Sequence, residues 1–450
     1  MGRRAQIITD KEASGCGNAS GAINRKLHGA VSAPRVLVIG GGPAGLTAAI
    51  AAARAGADVS IAERMDRTGK KLLASGNGRC NLSNISLAAR NYHGPGAEAA
   101  YSIISQYGLD FVTSFFESVG ILTSIEDRSR VYPSTFSSST VLNALRSEAA
   151  RLGVIEMCSC EALSVKPING EFHTFFRDAP VFISDRVIVA AGGKASPFLG
   201  SDGSGYGLLT ALGHGMVPPA PALAPLRLAV PEIRGLKGVR VRAGLTLFAR
   251  GGDIIYRETG ELIFSDYGVS GIPALNASCH IARHAGGERP AGFFLAFDLY
   301  PERTEKELCG FINNRLLRNP PIPPFDILNG MAHKQIAALV MKRAAAACDN
   351  PLSCAPGRAS DHNMEYAGRL AGALKDWRIS INGVGGFENA QVTYGGLSFA
   401  DFNADTLESN LVKGLYAAGE ILDATGDCGG YNLHWAWASG YLAGIGAARA

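Results

Sequence analysis

The sequence predicts an α/β protein whose main domain is a Rossmann-type dinucleotide-binding fold. Three stretches predict it: an apolar strand and glycine-rich turn at 35–45, an apolar strand ending on paired glycines at 186–193, and a short strand before another glycine-rich turn at 415–430. A strand that meets a glycine turn lets the backbone approach a ligand closely. Because the stretches lie far apart, the chain must return from its middle to complete the sheet, and we expect a discontinuous domain.

The first stretch has the order of a βαβ unit. The run RVLVI is apolar and β-branched, as in a buried parallel strand. It is followed by a G-x-G-x-x-G pattern at Gly40, Gly42 and Gly45, by an alanine-rich helix, and by the strand DVSIA, which ends just before Glu63. The pattern alone is weak in a chain with 56 glycines, but this context makes it specific.

Each position of this unit has a physical reason. Gly40 permits the tight turn, Gly42 lets the backbone approach a pyrophosphate, and Gly45 lets the helix and strand pack closely. The unpaired N–H groups and the dipole of the helix start attract phosphates. Glu63 can accept hydrogen bonds from ribose hydroxyls and would repel a 2′-phosphate, so this turn disfavours NADP.

A polar segment, RTGKKLLASGNGRCNLSN at 67–84, follows the βαβ unit. Long loops in compact domains are often functional, and this one interleaves leucines with the donors Lys71, Arg79 and Asn81. We expect it to contact phosphate or ring oxygens; the alternative is a solvated loop. Cys80 stands alone in it, which excludes the dithiol chemistry of a disulfide reductase.

The C-terminal stretch, GLYAAGEILDATGDCGGYNLHWAWASGYLAGIGAARA, begins with a short strand, turns through 426–430 and ends in a helix of small residues. A glycine-rich turn before a helix start binds anions or carbonyl oxygens through its N–H groups. We therefore expect a second ligand-facing turn at this point.

Composition indicates a globular enzyme of two or three domains. Of the 450 residues, 47% are hydrophobic and 18% are charged, with a net charge of +4 and no long run of like charges. This charge pattern argues against nucleic acid as a partner, and the absence of an 18-residue apolar run argues against a membrane span. Residues 1–33 lack the apolar core of a secretion signal, and we interpret them as a flexible extension.

Nine cysteines, an odd number without the spacing of a disulfide scaffold, indicate a reducing compartment, and we predict a cytoplasmic protein. Neither Cys158 and Cys160 nor Cys279 with His280 and His284 has a zinc-site spacing, so we predict no metal site.

The middle of the chain predicts an insertion. A proline-rich stretch after Pro218 indicates a boundary, short alternating runs at 226–300 predict an antiparallel β-barrel, and the pattern is helical from about 302 to 377. We predict the following division: cofactor domain 34–217 and 385–450, β-barrel 218–300 and 378–384, helical subdomain 301–377.

Three motifs together resemble one family: GGGPAGLTAA with its distal acid, TGKKLLASGNGRCNLSN, and GLYAAGEILDATGDCGGYNLHWAWASGY. They are similar to the BaiN-like (YhiN-like) FAD-dependent oxidoreductases, a branch of the glutathione-reductase-like flavoproteins. The resemblance spans roughly residues 34–446. It implies FAD as the cofactor, in a discontinuous Rossmann-type domain with an inserted β-barrel and a helical subdomain.

The resemblance implies a set of cofactor contacts. Glu63 falls on the adenosine ribose, and Glu420 and Asp423 fall near the ribityl chain. The helix that begins after Gly430 points its N–H groups at the pyrimidine end of the isoalloxazine, where reduced flavin carries negative charge. The implied cofactor-binding residues are Gly40, Gly42, Pro43, Ala44, Gly45, Glu63, Lys71, Gly76, Arg79, Cys80, Asn81, Gly192, Gly419, Glu420, Asp423, Gly430, Tyr431 and Asn432.

The function that the resemblance implies is hydride transfer through flavin N5 from NAD(P)H, a transient donor, to a small organic substrate such as a conjugated enone. No second G-x-G-x-x-G indicates a separate NAD(P)H domain. Three alternatives stay open: an oxidase of a small amine that uses oxygen, an FAD-binding protein without turnover, and a flavin-dependent RNA-modifying enzyme.

His434 and Tyr431 are the catalytic candidates. His434 stands where the family often has Gln, and it could donate protons beside the flavin or be a packed, hydrogen-bonded residue. A tyrosine could protonate the substrate α-carbon, and Tyr132, Tyr267, Tyr431 and Trp435 are candidates to line the pocket; their alternative role is core packing.

Overall fold

The computed structural model describes residues 33–126, 129–285, 292–318, 320, 322–323, 326–346 and 360–449. The predicted N-terminal extension lies outside the described residues, apart from Ala33. Residues 34–450 form one compact unit by themselves.

Strands and helices alternate along the described chain. The strands are β1 Arg35–Ile39, β2 Asp58–Ala62, β3 Ser83–Asn84, β4 Tyr92–His93, β5 Thr123–Glu126, β6 Arg130–Pro133, β7 Ile155–Met157, β8 Ala162–Ile168, β9 Glu171–Phe176, β10 Phe182–Ser184, β11 Arg186–Val189, β12 Met216–Ala222, β13 Leu226–Leu228, β14 Arg240–Phe248, β15 Ile254–Phe264, β16 Gly268–Ser270, β17 Phe294–Asp298, β18 Trp377–Val384, β19 Val392–Leu397, β20 Leu415–Ala417 and β21 Thr425–Gly426. The helices are α1 Pro43–Arg54, α2 Lys70–Ala74, α3 Ala97–Gln106, α4 Leu109–Ser118, α5 Ser138–Arg151, α6 Ser204–Thr210, α7 Val230–Ile233, α8 Ile272–Ala285, α9 Glu305–Leu316, α10 Lys334–Ala346, α11 Ser360–Lys375 and α12 Tyr431–Arg449.

The cofactor-domain sheet has the order β20-β11-β1-β2-β7, and all its strand pairs are parallel. The predicted strands RVLVI and DVSIA are β1 and β2. Both are buried almost throughout because helices cover a parallel sheet on its two faces. The C-terminal strand β20 completes the sheet beside β11, so the prediction of a discontinuous Rossmann-type fold is confirmed.

The two glycine-turn helices, α1 and α12, pack against each other at backbone distance. A Cβ added at Gly440 would lie 2.3 Å from the Ala44 carbonyl oxygen, and a Cβ added at Gly444 would lie 2.4 Å from the Ala48 carbonyl oxygen. Small residues on both helices therefore allow a separation that larger side chains would prevent.

The insertion is a closed barrel with the order β13-β16-β15-β14-β17-β18, so the predicted barrel is confirmed. In its core the rings of Phe264 and Trp377 are stacked, and the ring of Phe297 is tilted against both. Beside it, α9 begins with a capping box in which Thr304 and Glu307 satisfy each other's backbone N–H groups. None of the described helices is long and apolar enough to cross a membrane.

One local prediction was incomplete. The region 226–300, predicted to form an antiparallel β-barrel, also contains the helix α8, whose residues are buried on nearly every side. A helix buried in this way lacks the wide charged face of a surface helix, so its periodicity does not distinguish it from a strand. The proline-rich stretch, predicted as a boundary, forms β12, which pairs with β19 in an antiparallel ribbon with an irregular register between Val217 and Ala220.

We predict that Gly440→Ala lowers the free energy of unfolding by about 1–3 kcal/mol, because the new methyl group collides with backbone rather than with a flexible side chain. Thermal and urea unfolding measure the change. The matched control is Gly207→Ala in α6, where an added Cβ meets nothing within 4 Å. Equal stabilities of the two variants would contradict a close α1–α12 contact.

Candidate functional site

The first glycine turn leaves open space in front of α1. A Cβ on Gly40 would lie 2.5 Å from the Ala190 carbonyl oxygen, and one on Gly45 would lie 1.9 Å from the Gly40 carbonyl oxygen, whereas a Cβ on Gly42 meets nothing within 4 Å. Gly40 also has a φ of +104°, which favours glycine. Two of the glycines are thus required by the turn itself, and Gly42 faces open space.

Glu63 is fixed at the end of β2 by the backbone. Its Oε2 accepts a hydrogen bond from the Gly41 N–H and its Oε1 accepts one from the Met65 N–H, both at 2.8 Å. A carboxylate oxygen has two lone pairs, so each oxygen keeps one for a ribose hydroxyl. Beside it lies a cleft that Cys160 and Ser204 also line.

The loop after β2 brings Lys71 to Glu420. Lys71 Nζ lies 2.7 Å from Glu420 Oε2, and Glu420 Oε1 accepts a hydrogen bond of 2.9 Å from the Thr393 N–H. Gly193 and Gly419 lie near this pair. A Cβ on Gly193 would lie 2.8 Å from Glu420 Oε1, and Gly419 has a φ of +79°. Two distant predicted residues are therefore in direct contact.

Arg79 and Cys80 take structural positions in this loop. The Arg79 guanidinium lies 4.6 Å from the Tyr132 ring centroid and 4.8 Å from that of Phe136, and it forms an ion pair with Glu126. Cys80 is fully buried, and burial raises the pKa of its thiol to about 12. A thiol with this pKa is inert at neutral pH, in agreement with the predicted absence of dithiol chemistry.

Among the buried side-chain atoms that have no hydrogen-bond partner within the described chain, two belong to predicted cofactor-binding residues: Asn81 Oδ1 and Asp423 Oδ1. Asp423 is fully buried, its Oδ2 accepts one long hydrogen bond of 3.2 Å from the Gly96 N–H, and burial raises the pKa of the carboxyl to about 7. Buried polar atoms in native proteins are nearly always satisfied. The hydroxyls and ring N–H of a flavin dinucleotide are suitable donors, so these residues fit FAD.

The second glycine turn brings Asn81 to the start of α12. A Cβ on Gly430, which has a φ of +100°, would lie 2.4 Å from the Ser83 carbonyl oxygen and 2.8 Å from Asn81 Oδ1. Asn432 fixes the turn: its Oδ1 accepts from the Gly426 N–H at 2.8 Å and its Nδ2 donates to the Gly426 carbonyl at 2.7 Å. The Asn432 side chain is thus committed to the backbone.

His434 is a packed residue, so proton donation, one of the two roles left open, does not agree with its geometry. It is fully buried, its Nε2 donates to the Tyr107 carbonyl oxygen at 2.8 Å, and its Nδ1 accepts from the Ser83 hydroxyl at 2.7 Å. Burial lowers the pKa of the imidazole to about 4. Both nitrogens are used, and the ring is neutral at pH 7.

The four aromatic pocket candidates do not come together. Trp435 is 1% exposed and donates from Nε1 to the Gly419 carbonyl at 3.1 Å, and Tyr132 packs under Arg79. Tyr267 lies on the barrel beside a separate cavity. Tyr431 opens α12 and meets the Tyr92 ring edge-on, with centroids 6.0 Å apart. Only Tyr431 lies at the second glycine turn.

Sequence reasoning missed a polar ring of seven residues between the barrel and the second glycine turn. We call it the interface ring; its members are His93, Tyr256, Glu258, Asn276, His280, Asp427 and Cys428. Two local signals exist: Tyr256 and Glu258 alternate along β15 and so share one face of the strand, and Asn276 and His280 are four residues apart on α8. These two pairs, His93 and the adjacent residues Asp427 and Cys428 come from four separate segments of the chain.

The fold and the two glycine turns define a flavin-dinucleotide-binding protein of the Rossmann type. The chain belongs to the family described as HI0933-like protein Rossmann domain, whose family model matches residues 34–446. This confirms the resemblance to the BaiN-like proteins. The family and the relatives below identify the protein as an FAD-dependent oxidoreductase.

The relatives span nearly the whole chain. A 3-dehydro-bile acid delta(4,6)-reductase of Clostridium scindens is 37% identical over 423 residues, which are 92% of this chain and 99% of that protein. A ribosomal RNA dihydrouridine synthase of Escherichia coli is 27% identical over 409 residues, 90% of this chain and 96% of that protein. The solved 3-ketosteroid-Δ4-(5α)-dehydrogenase of Rhodococcus jostii has a TM-score of 0.47 and 18% identity, covering 92% of this chain and 96% of that one.

We predict that His434→Gln retains turnover within about threefold, because a glutamine can accept from Ser83 and donate to the Tyr107 carbonyl, whereas loss of a general acid costs about 100-fold or more. Steady-state kinetics measure this. We also predict that His434→Gln is more stable than wild type in acid. Because the pKa of His434 is about 4 in the folded protein and 6.5 ordinarily, the wild-type protein loses stability as the pH falls from 6.5 to about 4, and the variant does not. A loss of turnover near the general-acid value would restore His434 as a proton donor.

We predict that cofactor-free wild-type protein loses stability relative to Asp423→Asn as pH rises from about 4 to about 7. The folded pKa of about 7 lies above the ordinary value of 3.8, so the folded state binds the extra proton in this window and ionises its buried carboxyl above it. The full difference is about 4 kcal/mol, measured by urea unfolding across the window. A difference that does not vary with pH would contradict the raised pKa.

Proposed function

We propose that the protein reduces a carbon–carbon double bond conjugated to a carbonyl group in a small organic molecule, with NAD(P)H as the electron donor. The observation that carries the proposal is the 37% identity, over 99% of its length, to a relative named as a delta(4,6)-reductase of 3-dehydro-bile acids. The dihydrouridine synthase relatives support the same chemistry, because dihydrouridine is uridine with two hydrogens added across one double bond. The names of all three relatives describe the reduction of a carbon–carbon double bond, and none of them describes amine oxidation.

The residues of the two glycine turns would hold FAD, which supplies the hydride when bound and reduced. Gly42 admits the pyrophosphate to the N–H groups of α1, and Glu63 binds the adenosine ribose. The partnerless oxygens of Asn81 and Asp423 accept from the cofactor's hydroxyl and N–H groups. The N-terminus of α12 stabilises negative charge on the ring system.

The remaining predicted contacts are proposed to line the same site, most of them through the backbone or by orienting a neighbour. Lys71 and Glu420 orient each other, and Arg79 and Cys80 fix the loop rather than donate to the cofactor. The residues proposed to line the cofactor are Pro43, Ala44, Lys71, Gly76, Gly192, Gly419, Glu420 and Gly430, with Tyr431 and Asn432 at the start of α12.

On the substrate side we propose Tyr431, which is 7% exposed and has a phenol pKa raised by burial and by the nearby Asp427 charge. We propose a small-molecule substrate and a cytoplasmic location. The net charge of +4, without a basic run, and the free cysteines among the described residues support these two proposals. An RNA substrate is the second candidate, favoured only by the relatives at 26–27% identity.

We predict that the purified protein is yellow and that NADH or NADPH bleaches its flavin absorbance in anaerobic stopped-flow. A 3-oxo-4,6-diene bile acid should then restore the absorbance in a single turnover, whereas a uridine-containing RNA should not. Restoration by RNA alone would replace the small-molecule proposal. A colourless protein that does not take up added FAD would contradict FAD binding, and no bleaching by either nucleotide would favour the oxidase.

A further inference from the structure

The interface ring closes on itself. Asp427 Oδ1 lies 2.7 Å from His93 Nε2. The His93 ring meets the His280 ring edge-on at 4.9 Å between centroids, and the His280 ring stacks on Tyr256 at 4.5 Å and 29°. The contacts therefore run from the second glycine turn into α8 and β15 of the barrel insertion.

The other half of the interface ring, from Tyr256 to Cys428, consists of hydrogen bonds. The Tyr256 hydroxyl donates to Glu258 Oε2, which also accepts from Asn276 Nδ2 at 3.0 Å. Asn276 Oδ1 accepts from the Cys428 N–H at 2.8 Å. The ring begins at Asp427 and ends at the next residue in the chain, so the segment just before α12 is held by His93 of β4 on one side and by Asn276 of the insertion on the other.

Packing of the barrel insertion against the cofactor domain does not require the polar groups of the interface ring. Next to the interface ring, Leu275, Cys279 and Ala282 of α8 pack against Val392 and Tyr394 of β19 in an apolar cluster. Buried charged groups contribute little net stability compared with apolar side chains of the same volume. Ionisable groups gathered beside a cofactor site are, by contrast, typical of catalysis.

Of the ring members, Tyr256 is best suited to give up a proton. Burial and the neighbouring His93 lower the pKa of His280 to about 4, so this imidazole carries no extra proton at pH 7. Cys428 enters the ring through its backbone N–H and not through its thiol, whose pKa burial raises to about 11. Burial and the charge of Glu258 raise the pKa of Tyr256, so its phenol keeps the proton at every working pH.

We propose that the Tyr256 hydroxyl, oriented by Glu258, is the proton donor of the double-bond reduction. This inference rests on the proposed function. The substrate β-carbon receives the hydride supplied by the reduced cofactor, the O–H bond of Tyr256 breaks, and its proton forms the new C–H bond at the α-carbon. The electron pair left on the phenolate oxygen is protonated from solvent. A phenol with a raised pKa is still a sufficient acid, because an enolate carbon is the much stronger base.

The neighbours of Tyr256 are positioning residues. Glu258 directs the hydroxyl, Asn276 holds Glu258 against the segment before α12, and His280 fixes the phenol ring by stacking. The competing donor is Tyr431, the first residue of α12, whose phenol also lies in the field of Asp427 and Glu258. The experiment must therefore distinguish the two phenols.

The test uses holoprotein reduced anaerobically with dithionite and then mixed with a 3-oxo-4,6-diene bile acid, with reoxidation followed by flavin absorbance. Tyr256→Phe should slow reoxidation about 100- to 10,000-fold, the range of a lost general acid. A separate titration of the oxidised holoprotein with the same compound should give a Kd within about threefold of wild type, because binding does not need the proton. Tyr441→Phe, which removes a phenol hydroxyl further along α12, should change neither value.

A second variant, Glu258→Gln, keeps the side-chain shape and removes the charge that raises the pKa of Tyr256. Its reoxidation rate should fall at high pH, where the wild-type phenol still keeps its proton and the wild-type rate does not fall, a change that a merely structural role would not produce. This variant decides the question if Tyr256→Phe does not fold; an unchanged pH profile then overturns the inference.

Three outcomes overturn the inference while the proposed function stands: wild-type rates in Tyr256→Phe, a large rate loss in Tyr431→Phe alone, or equal losses of rate and binding in Tyr256→Phe. Failure of the reduced wild-type protein to be reoxidised by the bile acid is a different result. It overturns the proposed function, and the inference falls with it.

Discussion

The backbone contact between α1 and α12 is the constraint on which the site depends. Gly440 and Gly444 lie against carbonyl oxygens of α1, so the last helix can lie directly on the first. From this position α12 also fixes the end of β20: Ser439 Oγ accepts from the Gly419 N–H at 3.0 Å, and Trp435 Nε1 donates to the Gly419 carbonyl. Because Gly440 lies beside the start of α1 and α12 begins nine residues earlier, the two helix N-termini are about 14 Å apart along α12. This arrangement suits a dinucleotide with phosphates at one end and a redox ring at the other.

The barrel insertion is connected to the cofactor domain by paired strands and contacts the segment just before α12. The chain leaves the cofactor domain through β12 and returns through β19, and the two strands pair, so the exit and the return are tied together. The apolar cluster of α8 and β19 adds adhesion, and the interface ring then positions ionisable side chains at the segment before α12. If Tyr256 is the proton donor as proposed, the insertion contributes chemistry to a site whose proposed cofactor contacts come from the other domain.

Sequence predicted the parts of this structure that local rules determine. The strands β1 and β2, the turn at Gly40 and the isolation of Cys80 follow from residue type and spacing within short windows. The helix α8 was not predictable in this way because it is buried on nearly every side. The interface ring was not predictable at all, since His93 and Asp427 are 334 residues apart and only the tertiary fold joins them.

Some buried polar side chains at this site have all their hydrogen-bonding atoms satisfied within the chain, and others keep an unsatisfied atom. His434 has both nitrogens satisfied within the chain, and Asn432 spends its amide on the turn at Gly426, so their roles are complete without any other molecule. Asn81 and Asp423, by contrast, each keep a buried oxygen that no described residue satisfies. Leaving such an atom unpaired costs about 1–3 kcal/mol, a penalty that a bound partner removes. If FAD binds as proposed, it supplies partners to these two oxygens, and cofactor binding is then thermodynamically linked to the stability of this site.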